Sequence, residues 1–177
     1  MTVAMMTPLA APASRYVSVT TFWGRRHRAQ AIFLFGYLAT WTGAALLIVF
    51  SVSSIADVLG SVPAVVLFFG AAAFWQFSWL KRGALRACRR TTIPIAGEGW
   101  HANRGALRFG ALTGWRCVTT CWLLMAAAAT AGHNLEAMVI VFVLQLRERV
   151  THAYRPGPGA VTLLALAVWS VFLPFGV

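Results

Sequence analysis

RRHRAQAIFLFGYLATWTGAALLIVFSVSSIAD, residues Arg25 to Asp57, opens on a basic cluster, runs without a charge from Ala29 to Ala56 and closes on an acid. About twenty apolar residues at 1.5 Å of helical rise cross a hydrocarbon core of ~30 Å, so this stretch predicts a membrane-crossing helix with length to spare for tilt. Working outward from it, the apolar runs predict spans at about 29–54, 62–80, 117–135, 135–149 and 160–176, with a short N-terminal membrane segment at 1–14. The expected fold class is therefore all-α integral membrane: a bundle of five transmembrane helices plus the short N-terminal segment, in one domain over 1–177.

Composition agrees with that expectation. The 177 residues are 59% hydrophobic and only 11% charged, with a mean hydropathy of +0.72; a soluble domain carries roughly 25% charged residues. The net charge of +11 comes from fifteen Lys and Arg against four acids. In a soluble chain that imbalance would point to nucleic acid, but here the cations lie in short connections beside apolar runs, where the positive-inside rule and anionic headgroups account for them. A lipid bilayer is the expected partner and nucleic acid is not. Lys and Arg number four from Arg15 to Arg28, eight from Lys81 to Arg116 and three from Arg147 to Arg155, with none in the connections between. This alternation predicts that the basic loops are cytoplasmic and that the C-terminus lies on the opposite side.

The first residues, MTVAMMTPLAAPAS (Met1 to Ser14), end in small residues as a secretory signal does, but their nearest cation, Arg15, follows the apolar part instead of preceding it. They read as a retained membrane helix bent by Pro8 and Pro12. Lys81 to Arg108 reads as a cytoplasmic loop with a helical first half, and Arg116 is expected to snorkel to the cytoplasmic edge. The uncharged run Ala137 to Leu146 is too short to cross alone, so Glu136 or the Arg147-Glu148-Arg149 cluster must enter the bilayer region.

Chemistry concentrates at sulfur. Cys117 and Cys121 are four apart and share a helical face, which Met125 extends by one turn. Thiolate and thioether are soft donors suited to Cu(I). The same residues also suit plain packing, since free cysteine is commonly buried and methionine fills gaps. Met5 and Met6 lie nine or ten residues from Arg15, roughly 14 Å at helical rise, while Cys121 and Met125 lie roughly 7 to 14 Å beyond Arg116. Matched depths predict that a methionine of the N-terminal segment packs near the cysteine face. The three cysteines, Cys88, Cys117 and Cys121, form no secreted disulfide framework. No nucleotide-binding glycine motif or catalytic triad pattern is present.

AMMTPLAAP (Ala4 to Pro12), LKRGALRACR (Leu80 to Arg89), GWRCVTTCWLLM (Gly114 to Met125) and RERV around Glu148 occur in an order that resembles a bacterial family of predicted metal-binding integral membrane proteins of unknown function. The resemblance covers most of the chain. It implies that Met5 and Met6 with their prolines, Cys88, the Cys117 and Cys121 pair, and Glu148 are the marked positions. It also implies the bacterial cytoplasmic (inner) membrane as location. Thr113 stands where relatives tend to carry a histidine upstream of the cysteine pair.

The expected function is non-enzymatic: a polytopic membrane protein that binds or hands on a soft metal ion, most plausibly copper. Its metal residues would be drawn from Cys117, Cys121, Met125, Met5, Met6, Cys88 and Glu148. The alternative is an accessory or assembly subunit of a larger membrane complex, with other membrane subunits as partners and no metal of its own. A copper-dependent oxidoreductase would need histidine ligands that the chain barely supplies.

Overall fold

The computed structural model describes residues 2–89, 99–132, 134–150 and 156–172, and the regular structure among them is entirely helical. In chain order the helices are α1 (Thr2–Thr20), α2 (Arg26–Leu59, entered through a 3-10 turn at Trp23–Arg25), α3 (Ser61–Phe77), α4 (Trp79–Arg89), α5 (Gly99–Thr130), α6 (Leu135–Val150) and α7 (Pro156–Phe172). They form two compact units, one of Met1–Ala45 and Ala84–Thr119, the other of Leu46–Gly83 and Thr120–Val177.

In the first unit, α1 buries Met6, Leu9, Ala10, Ala13 and Val17, a recurrence of three to four residues that marks one helical stripe. Pro8 and Pro12 lie inside the helix and on its exposed side. The helix continues past Arg15 to Thr20, where Thr20 and Thr21 return their hydroxyls to the carbonyls of Tyr16 and Val17. The basic start of α2 is tied down on both sides, because Arg26 donates to Ser18 Oγ at 3.3 Å and Arg25 to Asn103 Oδ1 at 3.2 Å.

The closest approach in this unit is between α2 and α5. A methyl group added to Gly36 would meet the Leu107 carbonyl oxygen at 2.6 Å, one added to Gly114 would meet the Tyr37 carbonyl oxygen at 3.1 Å, and one added to Gly110 would overlap the Phe33 carbonyl. Gly110 and Gly114 stand four apart, so both present bare backbone on one face of α5. Phe33 and Phe109 pack at a ring separation of 5.3 Å beside this crossing, and Tyr16 reaches Phe109 from α1 at 5.9 Å.

In the second unit, α3 packs along α7, and the core joins Val65, Phe68, Phe69 and Ala72 of α3 to Ala160, Leu163 and Ala167 of α7. Ala126 and Ala127 of α5, Ala131 just beyond its end, and Val141 and Leu144 of α6 also belong to it. Gly60 alone joins α2 to α3, at φ +87, where a side chain would be strained. Lys81 at the start of α4 is fully buried. Its ammonium donates to Gln76 Oε1 at 2.6 Å and pairs with both carboxylate oxygens of Glu148, at 2.8 and 2.9 Å.

The five-span bundle is not what the helices form. Among the described residues one helix, Trp23–Leu59, is long and apolar enough to cross a membrane. Residues 62–80 divide at Ser78, whose extended backbone turns α4 away from α3 by 74°, so α3 and α4 reach that length only as a bent pair. The apolar part of α5 ends at Thr130, α6 has 16 residues and carries Arg147 and Glu148, and the apolar part of α7 is confined to Gly157–Trp169. The physical reason is common to all of them. A span needs length and apolarity in the same unbroken helix, and here the breaks and the charges divide the apolar residues among shorter pieces. The loop expected from Lys81 to Arg108 is helical at both ends, in α4 and from Gly99 onward.

Candidate functional site

The close crossing of α2 and α5 carries the chemistry of the first unit. One turn beyond Gly114, Cys117 is fully buried on α5, and opposite it Tyr37 is fully buried on α2. The Tyr37 hydroxyl lies 3.5 Å from Cys117 Sγ, a distance suited to an O–H···S hydrogen bond, and 3.3 Å from the backbone carbonyl oxygen of Met6. Met6, also fully buried, belongs to α1, two residues before Pro8. Three helices thus meet at one phenol. Phe33, one turn earlier on α2, stacks on the Tyr37 ring at 6.3 Å and 22° and limits its swing.

Of the residues expected to bind metal, the backbone of Met6 and the sulfur of Cys117 both reach the Tyr37 hydroxyl. Arg116 is half-buried. It donates to the carbonyl oxygen of Ala87 at 3.2 Å, near the end of α4, where a helix leaves carbonyls without helical donors. That bond ties the turn of α4 that carries the half-buried Cys88 to the turn of α5 that carries Cys117.

Cys121 is buried one turn further along α5, with its sulfur 3.4 Å from the hydroxyl of Thr120, and Met125 is half-buried on the same stripe. The side chain of Met5 lies outside the described residues. Glu148 belongs to the second unit, where Lys81 engages both of its oxygens. Thr113, standing where relatives tend to carry histidine, is buried and returns its hydroxyl to the Phe109 carbonyl at 2.8 Å. Among the described residues no three of His, Cys, Asp and Glu gather as a metal cluster. The sulfur placed at the crossing is that of Cys117, a soft donor of the kind that Cu(I) or zinc takes.

Three residues here escaped the sequence reading. Tyr37 stood in an apolar helix, and its signal was that a buried phenol needs a hydrogen-bond partner. Gly110 and Gly114 carried a visible spacing, G-x-x-x-G, that lets helices approach backbone to backbone.

The described residues define an all-helical protein with a buried thiol where three helices meet. The family model described as "PpoB2: Copper chaperone" matches residues 1–173, and the chain belongs to that family. No curated protein and no solved structure matches it.

Proposed function

We propose that this chain binds Cu(I) at the Met6, Tyr37 and Cys117 crossing and hands it on, with no chemical conversion of its own. The observation that carries the reading is the convergence of a buried thiol and the methionine-bearing turn of α1 on one hydroxyl. Cys117 Sγ would be the principal donor, and the thioether of Met6, whose backbone carbonyl shares the Tyr37 hydroxyl, would be the second. On binding, the S–H bond breaks, a sulfur–copper bond forms and the proton leaves to solvent, so no oxidant or reductant is needed once the ion arrives as Cu(I). A small, soft donor set suits a carrier, since few strong bonds must break on release. Cys121, one turn along the same helix, is the next soft donor in sequence.

A membrane location is supported by the composition of Trp23–Leu59. Its exposed side chains include Phe35, Leu46, Leu47 and Phe50, an outward apolar surface that lipid would cover. Arg26 lies over the Trp23 ring at 5.6 Å, pairing a cation and an aromatic at one end, as side chains do at a headgroup boundary. We place this helix across the bacterial inner membrane with its basic end cytoplasmic.

The protein purified in mild detergent and loaded anaerobically with Cu(I) tests the reading. Competition against bicinchoninate is expected to show one tightly held ion per chain. Cys117→Ser should weaken binding about a hundredfold or more, since a thiolate donor is lost outright, whereas Met6→Leu, which keeps the packing volume, should weaken it less. Equal copper binding by wild type and Cys117→Ser would overturn the site. A protein that holds no Cu(I) at all would favour an accessory subunit without a metal.

A further inference from the structure

We infer that the end of the first unit where α1 finishes and α2 and α5 begin is a binding surface for anionic phospholipid headgroups. Arg28 and Arg104 are its exposed phosphate-pairing groups, and Phe22 and Trp23 are the side chains that enter the headgroup layer. This rests on the membrane placement of α2 proposed above and not on copper. Two bonds gather the three helix ends. Arg26 donates to Ser18 Oγ near the end of α1, and Arg25 donates to Asn103 Oδ1 in the second turn of α5. Around them Val19 is 82% exposed, Phe22 63%, Trp23 86% and Trp100 74%. Arg28 and Arg104 are exposed as well, and neither is paired among the described residues.

Charge and apolarity point to the same partner. Within Met1–Ala45 and Ala84–Thr119 ten arginines stand against one acid, Glu98, and there is no lysine. A guanidinium is planar, keeps its charge and pairs phosphate oxygens two at a time, which suits it to phosphodiester headgroups. Val19, Phe22 and Trp23 gain nothing from water at this exposure. A bilayer boundary takes both kinds of side chain together, tryptophan at the headgroup level and arginine against the anionic surface. Arg26 already lies over the Trp23 ring at 5.6 Å, so the two kinds are paired here without a ligand. A nucleic acid could stack on the aromatics and pair the arginines, but it offers nothing to Val19 or to Phe35, which is exposed farther along α2.

The full chain reconstituted in vesicles of equal parts phosphatidylcholine and phosphatidylglycerol tests this. Bromine on the acyl chains of one lipid or the other quenches tryptophans beside it while the overall composition stays the same. The part of the quenching lost in Trp23→Phe/Trp100→Phe reports this surface. There, phosphatidylglycerol is expected to be enriched about fivefold over phosphatidylcholine, which is what one cation near an anionic surface supplies. Arg28→Gln/Arg104→Gln should bring the two lipids to equal quenching with the unfolding temperature unchanged, since both side chains are exposed and unpaired among the described residues. Equal quenching by the two lipids in the unsubstituted protein overturns the inference, and so does an enrichment that survives in Arg28→Gln/Arg104→Gln. Displacement of phosphatidylglycerol by a short oligonucleotide would also overturn it and assign the surface to nucleic acid. The membrane placement fails separately. A chain that alkaline carbonate strips from the vesicles does not cross them, and enrichment of phosphatidylglycerol before that extraction would still support the surface.

Discussion

Glu148→Ala lowers the stability of this protein by about 3–5 kcal/mol, the usual consequence of removing one partner from a buried ion pair. Lys81 has no exposed surface and Glu148 only 12%, so the ammonium left behind could not recover its hydration without opening the packing around it. Gln76 Oε1 would remain as an acceptor at 2.6 Å, but a neutral amide does not balance a charge in an apolar surrounding. Thermal unfolding in mild detergent, followed by circular dichroism, measures the loss. The double replacement Lys81→Met/Glu148→Leu is the informative companion. Because both charges are then absent, most of the stability should return, as it does when buried pairs are exchanged for packed apolar residues. If the double replacement were as damaging as Glu148→Ala alone, shape and not charge would be what this pair supplies.

Gly110→Ala is expected to cost about 3 kcal/mol, toward the upper end for overpacking, because what the new methyl group meets is the Phe33 carbonyl and the Tyr37 amide nitrogen. Backbone cannot step aside as the end of a flexible side chain can. The helices would have to separate, and the Tyr37 hydroxyl would be drawn from Cys117, so Cu(I) affinity should fall together with stability. Gly105→Ala is the matched control on the same helix. A methyl group there meets nothing within 4 Å, and alanine in a helix interior is favoured over glycine by up to about 1 kcal/mol. Melting temperatures of the two variants should move in opposite directions. Equal destabilisation would mean that close approach at Gly110 is not what holds α2 against α5.

Several features were legible in the residues. The uncharged run after Arg28 announced a long apolar helix, and α2 follows it to Leu59. The four-residue spacing of Cys117 and Cys121 announced a shared buried face, and both are buried. Matching the distance of Met6 from Arg15 with that of Cys121 and Met125 from Arg116 anticipated that α1 lies near the cysteine helix, and the Met6 carbonyl and the Cys117 sulfur do share the Tyr37 hydroxyl. Soft donors anticipated copper handling, in agreement with the family to which the chain belongs.

Partners were not legible. Lys81 read as a cation at the edge of a span, yet it is fully buried against Glu148, sixty-seven residues away. Hydropathy reports how poorly a side chain tolerates burial on its own, and it contains nothing about the opposite charge that folding brings to it. The count of spans failed for a related reason. Windows of apolar residues measure composition, whereas crossing a membrane requires one continuous helix, and Ser78 breaks the second window by turning the chain 74°. Tyr37 illustrates the same division at the site. Its need for a hydrogen bond is a property of the phenol, but the acceptors it meets on α1 and α5 are chosen by the crossing that Gly36, Gly110 and Gly114 make possible. Local periodicity and side-chain chemistry thus set where helices and donors could form, and the contacts between distant helices decided which donors meet, because only packing brings together groups that the chain keeps far apart.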